Sequence, residues 1–358
     1  MQDIREKILW WAVKRRVKKD NPFIIAITGS IAKTSTKVAI GAVLRRAFPD
    51  QVRVGYGNLN SFLGVPLAIL NFKVDFYKQK ITWQWIWILK LAIWRGLFSR
   101  LPKYLVLEYG ADKPGDIEEL GKMLPLDAAI ITITGAAHTQ NYSSVEQIAK
   151  EKAKIFNAVK PGGWGLVNKN DPYLHNITAK DCPSEMVDTA TEDIAANFAR
   201  AVGKKLKISD ELIDEALVIM PRPEGRLQMK DLHGLKLLDD SYNANPLSMT
   251  VALKLLAKLP GRKVAILGDM LELGADEVKY HQEIGQLAKQ SADLVIGVGD
   301  LAKEYGAAKY YSDSATASQE VLGLLGQDDN ILVKGSHGVH MELIVLAITN
   351  HYKNHGLS

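Results

Sequence analysis

A chain of 358 residues, 47% hydrophobic and 24% charged, has room for two domains and a sizeable core, and its composition excludes a disordered protein. Cys182 is the only cysteine, which excludes a disulfide framework and a cysteine-rich metal site and fits a reducing, cytoplasmic setting. The net charge of +5 is too modest to argue for a nucleic-acid partner.

In chain order, residues 1–22 predict a basic helix. Within it, ILWWAVKRRVKK (Ile8–Lys19) carries two tryptophans, and its apolar run is too short to read as a secretory signal. FIIAIT (Phe23–Thr28) predicts a buried strand, followed by a loop and a helix from about Lys33. YLVLEYG (Tyr104–Gly110) and AAIITIT (Ala128–Thr134) predict further strands. Ser143–Val159 predicts a helix capped by Ser143, with Glu146 three residues on. GWGLVNKNDP (Gly163–Pro172) predicts a strand ending in a turn. MPRPEGR (Met220–Arg226), with two prolines and a glycine, predicts a linker. Beyond it, LKLLDDSY, KVAILGDM, DLVIGVGD and NILVKGS predict four strands separated by helices. The expectation is an α/β protein with two domains, 23–221 and 222–358. The first is a P-loop-type domain on a mostly parallel sheet and the second a Rossmann-like domain, with ligand expected at the cleft between them.

IAITGSIAKTSTK (Ile25–Lys37) joins the first strand to its helix. A glycine-containing turn followed by Lys-Thr at a helix start is a phosphate cradle, because backbone N–H groups and the helix N-terminus face an anion. Lys33 is placed to neutralise outer phosphates and the Thr34 hydroxyl to ligate Mg²⁺, with Gly29, Ser30, Ala32 and Ser35 completing the loop. The standard eight-residue pattern is broken, since Ile27 and Ala32 occupy its two glycine positions. On this pattern alone, a strand–turn–helix with an exposed lysine is an equal reading. Alanine costs about 1 kcal/mol where φ is positive.

Seven motifs, this loop included, stand in order: TGSIAKTSTK, GNLNSFLGVPLAIL, LVLEYGADKPGDI, GAAHTQNYSSVEQIAKEKAKIF, LDDSYNANPLSM, LPGRKVAILGDMLELG and LVKGSHG. Together they resemble the ATP-dependent Mur ligases, over about residues 23–345, and most closely the branch that adds D-alanyl-D-alanine to a UDP-linked muramoyl-tripeptide. The resemblance implies a cell-wall amide ligase using ATP and Mg²⁺ through an acyl phosphate, with a D-Ala-D-Ala-like amine and a muropeptide-like acceptor. By motif position it implies that Lys33, Thr34, Glu108 and His138 serve the phosphates and metals. It implies that Lys152 is carbamylated and supports a metal, although on spacing alone Lys150, Lys152 and Lys154 are equivalent positions on a helix. It further implies that Asn58 and Asn60 approach the metal and first substrate. Arg226, Asp240, Tyr242, Asn243 and Asn245 would surround the nucleotide, and Lys334 and Ser336 would face the acyl phosphate or incoming amine. Ser61 stands where asparagine is common in the family.

Two departures bear on the acceptor. Members of this branch carry an N-terminal domain for the uridine nucleotide, whereas 22 residues precede the first strand here, too few for such a domain. The acceptor is then bound elsewhere or is different, for instance lipid-linked; a non-catalytic nucleotide-binding scaffold is the remaining alternative. The second departure is an insert, YKQKITWQWIWILKLAIWRGLFSRLPK (Tyr77–Lys103), with four of the seven tryptophans and no acidic residue. Its apolar core, Thr82–Phe98, is short for a span, and a single crossing would separate Lys33 from Glu108. Two readings stay open: a helix in the membrane interface on the inner face, or one that packs on its own domain or a partner.

Overall fold

The computed structural model describes residues 3–74, 82–136, 139–175, 182–189 and 193–355. It divides into two units, Met1–Thr134 with Ser144–Pro221, and Gly135–Ser143 with Arg222–Ser358.

The first unit runs α1 (Ile4–Asp20), β1 (Phe23–Thr28), α2 (Lys33–Ala47), β2 (Val52–Val54), α3 (Gly64–Ile69), α4 (Thr82–Phe98), β3 (Tyr104–Glu108), α5 (Asp116–Met123), β4 (Leu126–Ile131), α6 (Val145–Ala153), β5 (Val159–Asn168), β6 (Ser184–Val187), α7 (Ile194–Lys205) and α8 (Asp210–Ile219). Its sheet has the order β2-β3-β1-β4-β5-β6 and every pairing is parallel. Both faces of a parallel sheet are covered, which is why β1, β3 and β4 read as continuous apolar runs. One face packs Ile24, Ala26, Leu105 and Leu107 under α1 and α3. The other packs Ile25, Ile27, Val106 and Ile130 under α2, α7 and α8.

α1 opens with a capping box between Asp3 and Glu6 and closes at Asn21 in the left-handed conformation. The serine that caps α6 is Ser144, which accepts the Gln147 N–H, so the predicted cap at Ser143 is one residue early. The helix is also shorter than predicted, passing into a 3₁₀ turn over Lys154–Ala158.

The second unit runs β7 (Gln228–Leu232), β8 (Leu235–Asp240), α9 (Pro246–Ala257), β9 (Lys263–Gly268), α10 (Glu277–Ser291), β10 (Leu294–Val298), β11 (Lys309–Tyr311), α11 (Ser314–Glu320), β12 (Asn330–Lys334) and α12 (Glu342–His355). Its sheet has the order β11-β10-β9-β12-β8-β7, parallel except for the β7–β8 hairpin. In segment Gly135–Ser143, which belongs to this unit, the Thr139 hydroxyl donates to Leu273 O and the Gln140 N–H to Glu272 O.

Candidate active site

In the first unit the loop after β1 is pinned to the end of β4. The Ser30 N–H donates to Ile133 O at 2.6 Å, and the Thr132 hydroxyl donates to Ile31 O at 2.6 Å. This contact requires glycine at 29, where φ is +152° and a Cβ would lie 1.9 Å from Thr132 Oγ1. Ala32 adopts φ 63°, ψ 1°, so the alanine does sit in the left-handed region where the motif has glycine. It stands immediately before α2, whose first-turn N–H groups have no partner within the helix. Lys33 folds back over the loop, its Nζ donating to Gly29 O at 2.8 Å and Ser30 O at 3.4 Å. An ammonium over a glycine turn, at a helix N-terminus, is the electrostatic arrangement an anion needs.

Glu108, at the C-terminal end of β3, is 3% exposed and gathers the neighbouring motif side chains. The Thr34 hydroxyl donates to its Oε2 at 2.9 Å and Asn60 Nδ2 to its Oε1 at 3.0 Å. Lys37, one turn beyond Lys33 on α2, is fully buried and lies 3.2 Å from Oε2, while also donating to Gly57 O at 2.5 Å. Lys37 was not singled out from sequence. Its i, i+4 spacing from Lys33 sets both on one face of α2, but that spacing does not say that the face is buried at Lys37. Asn60 is held by its own backbone: its N–H donates to Asn58 O and its carbonyl accepts from Gly110 N. Ser61 caps the approach to α3, accepting the Gly64 N–H at 3.1 Å, so serine here has a local structural use.

The three lysines around α6 differ sharply. Lys150 is exposed, and Lys154 pairs with Glu151 and Glu118. Lys152 is 2% exposed, and its ammonium makes no hydrogen bond or ion pair among the described residues. Burial, reinforced by the charge of Lys33, pushes its ammonium down to about 7, against the opposing pull of Asp112 and Glu151. His138 lies outside the described residues, and among the described residues no group of three or more His, Cys, Asp or Glu side chains forms a metal cluster. The Thr34 hydroxyl and Glu108 carboxylate are nonetheless a hard-oxygen pair of the kind Mg²⁺ takes when phosphates and water supply the remaining ligands.

In the second unit the predicted residues fall into two sets. Arg226 lies 4.1 Å over the Tyr242 ring, which stacks on His337 at 5.3 Å and 30°. His337, beside Ser336 in sequence, was not singled out and is placed by this stack. Asn243 is exposed and its carbonyl accepts from Lys334 Nζ at 2.7 Å. Lys334 also pairs with Asp240 at 2.6 Å, both buried. Burial shifts each toward its neutral form, raising Asp240 and lowering Lys334, while their mutual attraction opposes this. The other set is bonded within the loops. The Asn245 side chain caps α9 through Ser248 N, and Ser336 Oγ accepts from Leu271 N and donates to Ala244 O. These two side chains tie loops together, and their bonds leave them less available to a ligand than the motif implies.

The signature of the Mur ligase middle domain matches residues 90–229, and that of the Mur ligase glutamate ligase domain matches residues 225–337. The chain belongs to the Mur ligase family. Members of this family are ATP-dependent, ADP-forming ligases. A UDP-N-acetylmuramoyl-tripeptide–D-alanyl-D-alanine ligase of Buchnera aphidicola is 28% identical, the match covering 92% of this chain and 77% of its own length. The crystal structure of MurF from Acinetobacter baumannii superposes with a TM-score of 0.80 at 26% identity, covering 98% of this chain and 81% of that one. MurF of Thermotoga maritima in complex with ADP gives a TM-score of 0.82 at 19% identity, covering 99% and 85%, a likeness of fold. The Mur ligase fold accounts for both sheets and for the loop–helix cradle that opens the first.

Proposed function

We propose that this Mur ligase is an ATP-dependent amide ligase that joins D-Ala-D-Ala, or a similar amine, to the carboxylate of a peptidoglycan precursor. The observation that carries the reading is the convergence of Thr34, Asn60 and Lys37 on buried Glu108, beside a lysine-covered phosphate loop. The acceptor carboxylate attacks the γ-phosphorus of ATP, ADP leaves, and an acyl phosphate forms. The amine then attacks the acyl carbon and inorganic phosphate leaves with the former carboxylate oxygen. Lys33 and the first-turn N–H groups of α2 hold the phosphates. Thr34 and Glu108 would hold Mg²⁺, which when bound neutralises charge on the transferring phosphoryl group. Lys37 orients Glu108 through its buried ion pair.

Lys152, buried and close to neutral near pH 7, is suited to add CO₂, releasing a proton and becoming an anionic carbamate beside Lys33. His138 keeps its motif role as a metal ligand. In the second unit Arg226 and Tyr242 offer a cationic and aromatic face to the nucleotide, and Lys334 a buried cation for the acyl phosphate or amine step. The setting is cytoplasmic, with peripheral contact at the inner membrane face through 77–103. A second reading changes only the acceptor, to a lipid-linked muropeptide, and is favoured by the aromatic surface of α4. The test is ADP release from Mg–ATP with D-Ala-D-Ala and either a UDP-linked or a lipid-linked muramoyl-tripeptide. The reading expects release to need both amine and acceptor. Nucleotide binding without such dependence would leave a scaffold instead.

A further inference from the structure

α4 is apolar nearly all round, yet only one of its faces is used. Its inner face packs on the first unit through Ala92, with Trp85, Ile88 and Leu89 half-buried against the core. Gly96 lets α4 press against α1, since a Cβ there would lie 2.7 Å from the Ala12 Cβ. Arg5 of α1 covers the Trp85 ring at 4.9 Å. The packing reading of this segment therefore holds for half of the helix.

The outer face is different. Trp83 is 78% exposed, Trp87 71%, Trp94 54% and Phe98 69%. Their spacings of four, seven and four residues place them on one ridge along the helix, flanked by exposed Ile86 and Ile93. Lys90 stands within that ridge, its ammonium 5.1 Å over the Trp87 ring. A ridge of this size is far beyond the scattered apolar residues of an ordinary surface.

α1 supplies the charge. Lys7, Lys14, Arg15 and Lys18 are exposed and fall on one helical face together with exposed Ile4 and Trp11. Trp11 lies against the position of Gly96, so this face adjoins α4. The acidic residues of α1 are engaged elsewhere: Asp3 and Glu6 form the capping box, and Asp20 binds Arg16 and the Leu101 N–H. Lys14 and Lys18 also line a cleft of about 290 Å³ floored by Leu124 and Pro125 and bordered by Lys160.

We infer that the joint outer face of α4 and α1 is a docking surface for an anionic lipid bilayer, with the aromatic ridge at the headgroup–acyl boundary and the basic ridge against lipid phosphates. This deepens the peripheral-membrane part of the proposed function and is independent of the ligase chemistry. Charge selects the occupant. Two copies meeting through this face would oppose basic ridge to basic ridge, whereas an anionic leaflet neutralises both. Tryptophans with an apolar body and a polar N–H suit the headgroup region. α4, at 17 residues, is about 25 Å long and lies on the protein, and no helix among the described residues is long and apolar enough to cross a membrane. It therefore lies along the surface.

The test is co-flotation of the purified full chain with vesicles of phosphatidylglycerol and phosphatidylcholine, against phosphatidylcholine alone, at low and high salt. Binding is expected to be about tenfold or more tighter to the anionic vesicles and to weaken on adding salt. Trp83→Ser, Trp87→Ser and Trp94→Ser together should weaken it about tenfold or more while leaving the melting temperature and the nucleotide affinity unchanged. Lys14→Glu with Lys18→Glu should remove the preference for anionic lipid. Absence of vesicle binding in the parent, or binding unaltered by either variant, overturns the inference. So does a concentration-dependent dimer that the triple variant abolishes, which would assign the face to a second copy. Soluble-substrate ADP release, measured on the same samples, reports separately on the ligase reading.

Discussion

The two units carry motif residues of equal apparent rank, but they use them differently. Around Glu108 the motif side chains converge on one another: a hydroxyl, an amide and an ammonium all meet a single buried carboxylate. In the second unit Asn245 and Ser336 are spent on loop architecture, and Arg226 and Tyr242 are the residues left presenting a partly exposed face. Motif membership thus covers side chains in two different structural settings, one converging on a buried carboxylate and one bonded into loops.

The largest expected effect lies at the loop. Lys33→Ala should lower ADP-forming turnover by about 100-fold to 1,000-fold with little change in melting temperature, since its ammonium lies over the loop carbonyls of Gly29 and Ser30 and serves charge rather than packing. A wild-type rate in this variant would dissolve the contrast between the two regions. Next comes the buried pair of the second unit. Lys334→Met alone should destabilise by about 3–5 kcal/mol, because Asp240 is left buried without its cation. The double change Lys334→Met with Asp240→Leu should recover much of that stability while turnover stays lost. Chemical denaturation of both variants measures the difference, and equal losses would show that the pair has no coupling.

A pH effect follows from Lys152. In the folded protein its proton leaves near 7, whereas the unfolded chain holds it to about 10.5. Between these values the unfolded state binds more protons, so stability rises with pH across that window, and the penalty is full below about 7. In CO₂-free buffer the wild type should gain stability from pH 7 toward pH 10 more steeply than Lys152→Met. Parallel curves would place Lys152 in a more polar setting than its burial implies. The smallest effects belong to backbone and caps. Ala32→Gly should relieve about 1 kcal/mol of left-handed strain, read as a higher melting temperature or several-fold tighter nucleotide binding. Asn245→Ala should cost about 1 kcal/mol of stability through the lost cap of α9, and a large loss of nucleotide affinity instead would return Asn245 to the ligand.

What was legible in the sequence follows the same physics. The central strands of both sheets are buried on both faces and so print continuous β-branched runs. The four strands not read in advance, β2, β6, β7 and β11, are the edges of the two sheets. They are short and half-exposed, so no apolar run marks them. The strand–loop–helix from Phe23 to Ala47 was legible despite the two missing glycines, because the apolar strand, Gly29 and the Lys-Thr pair at the helix start sufficed, and Ala32 at the motif's glycine position has positive φ. Lys37 was not legible, since a lysine on a helix ordinarily faces water and only the fold buries this one. Spacing alone likewise left Lys150, Lys152 and Lys154 equivalent; the motif resemblance singled out Lys152, and the fold shows it as the buried one. α4 escaped a single reading for a related reason: a helix apolar all round gives no period to say which face packs.

The most direct measurement follows the oxygen of the acceptor carboxylate. With an acceptor labelled with ¹⁸O in that carboxylate, Mg–ATP and D-Ala-D-Ala, the proposed reaction yields ADP, the amide, and inorganic phosphate carrying one labelled oxygen. ADP formed with unlabelled phosphate, or with no amide, would contradict an acyl-phosphate ligase at the Lys33–Glu108 site.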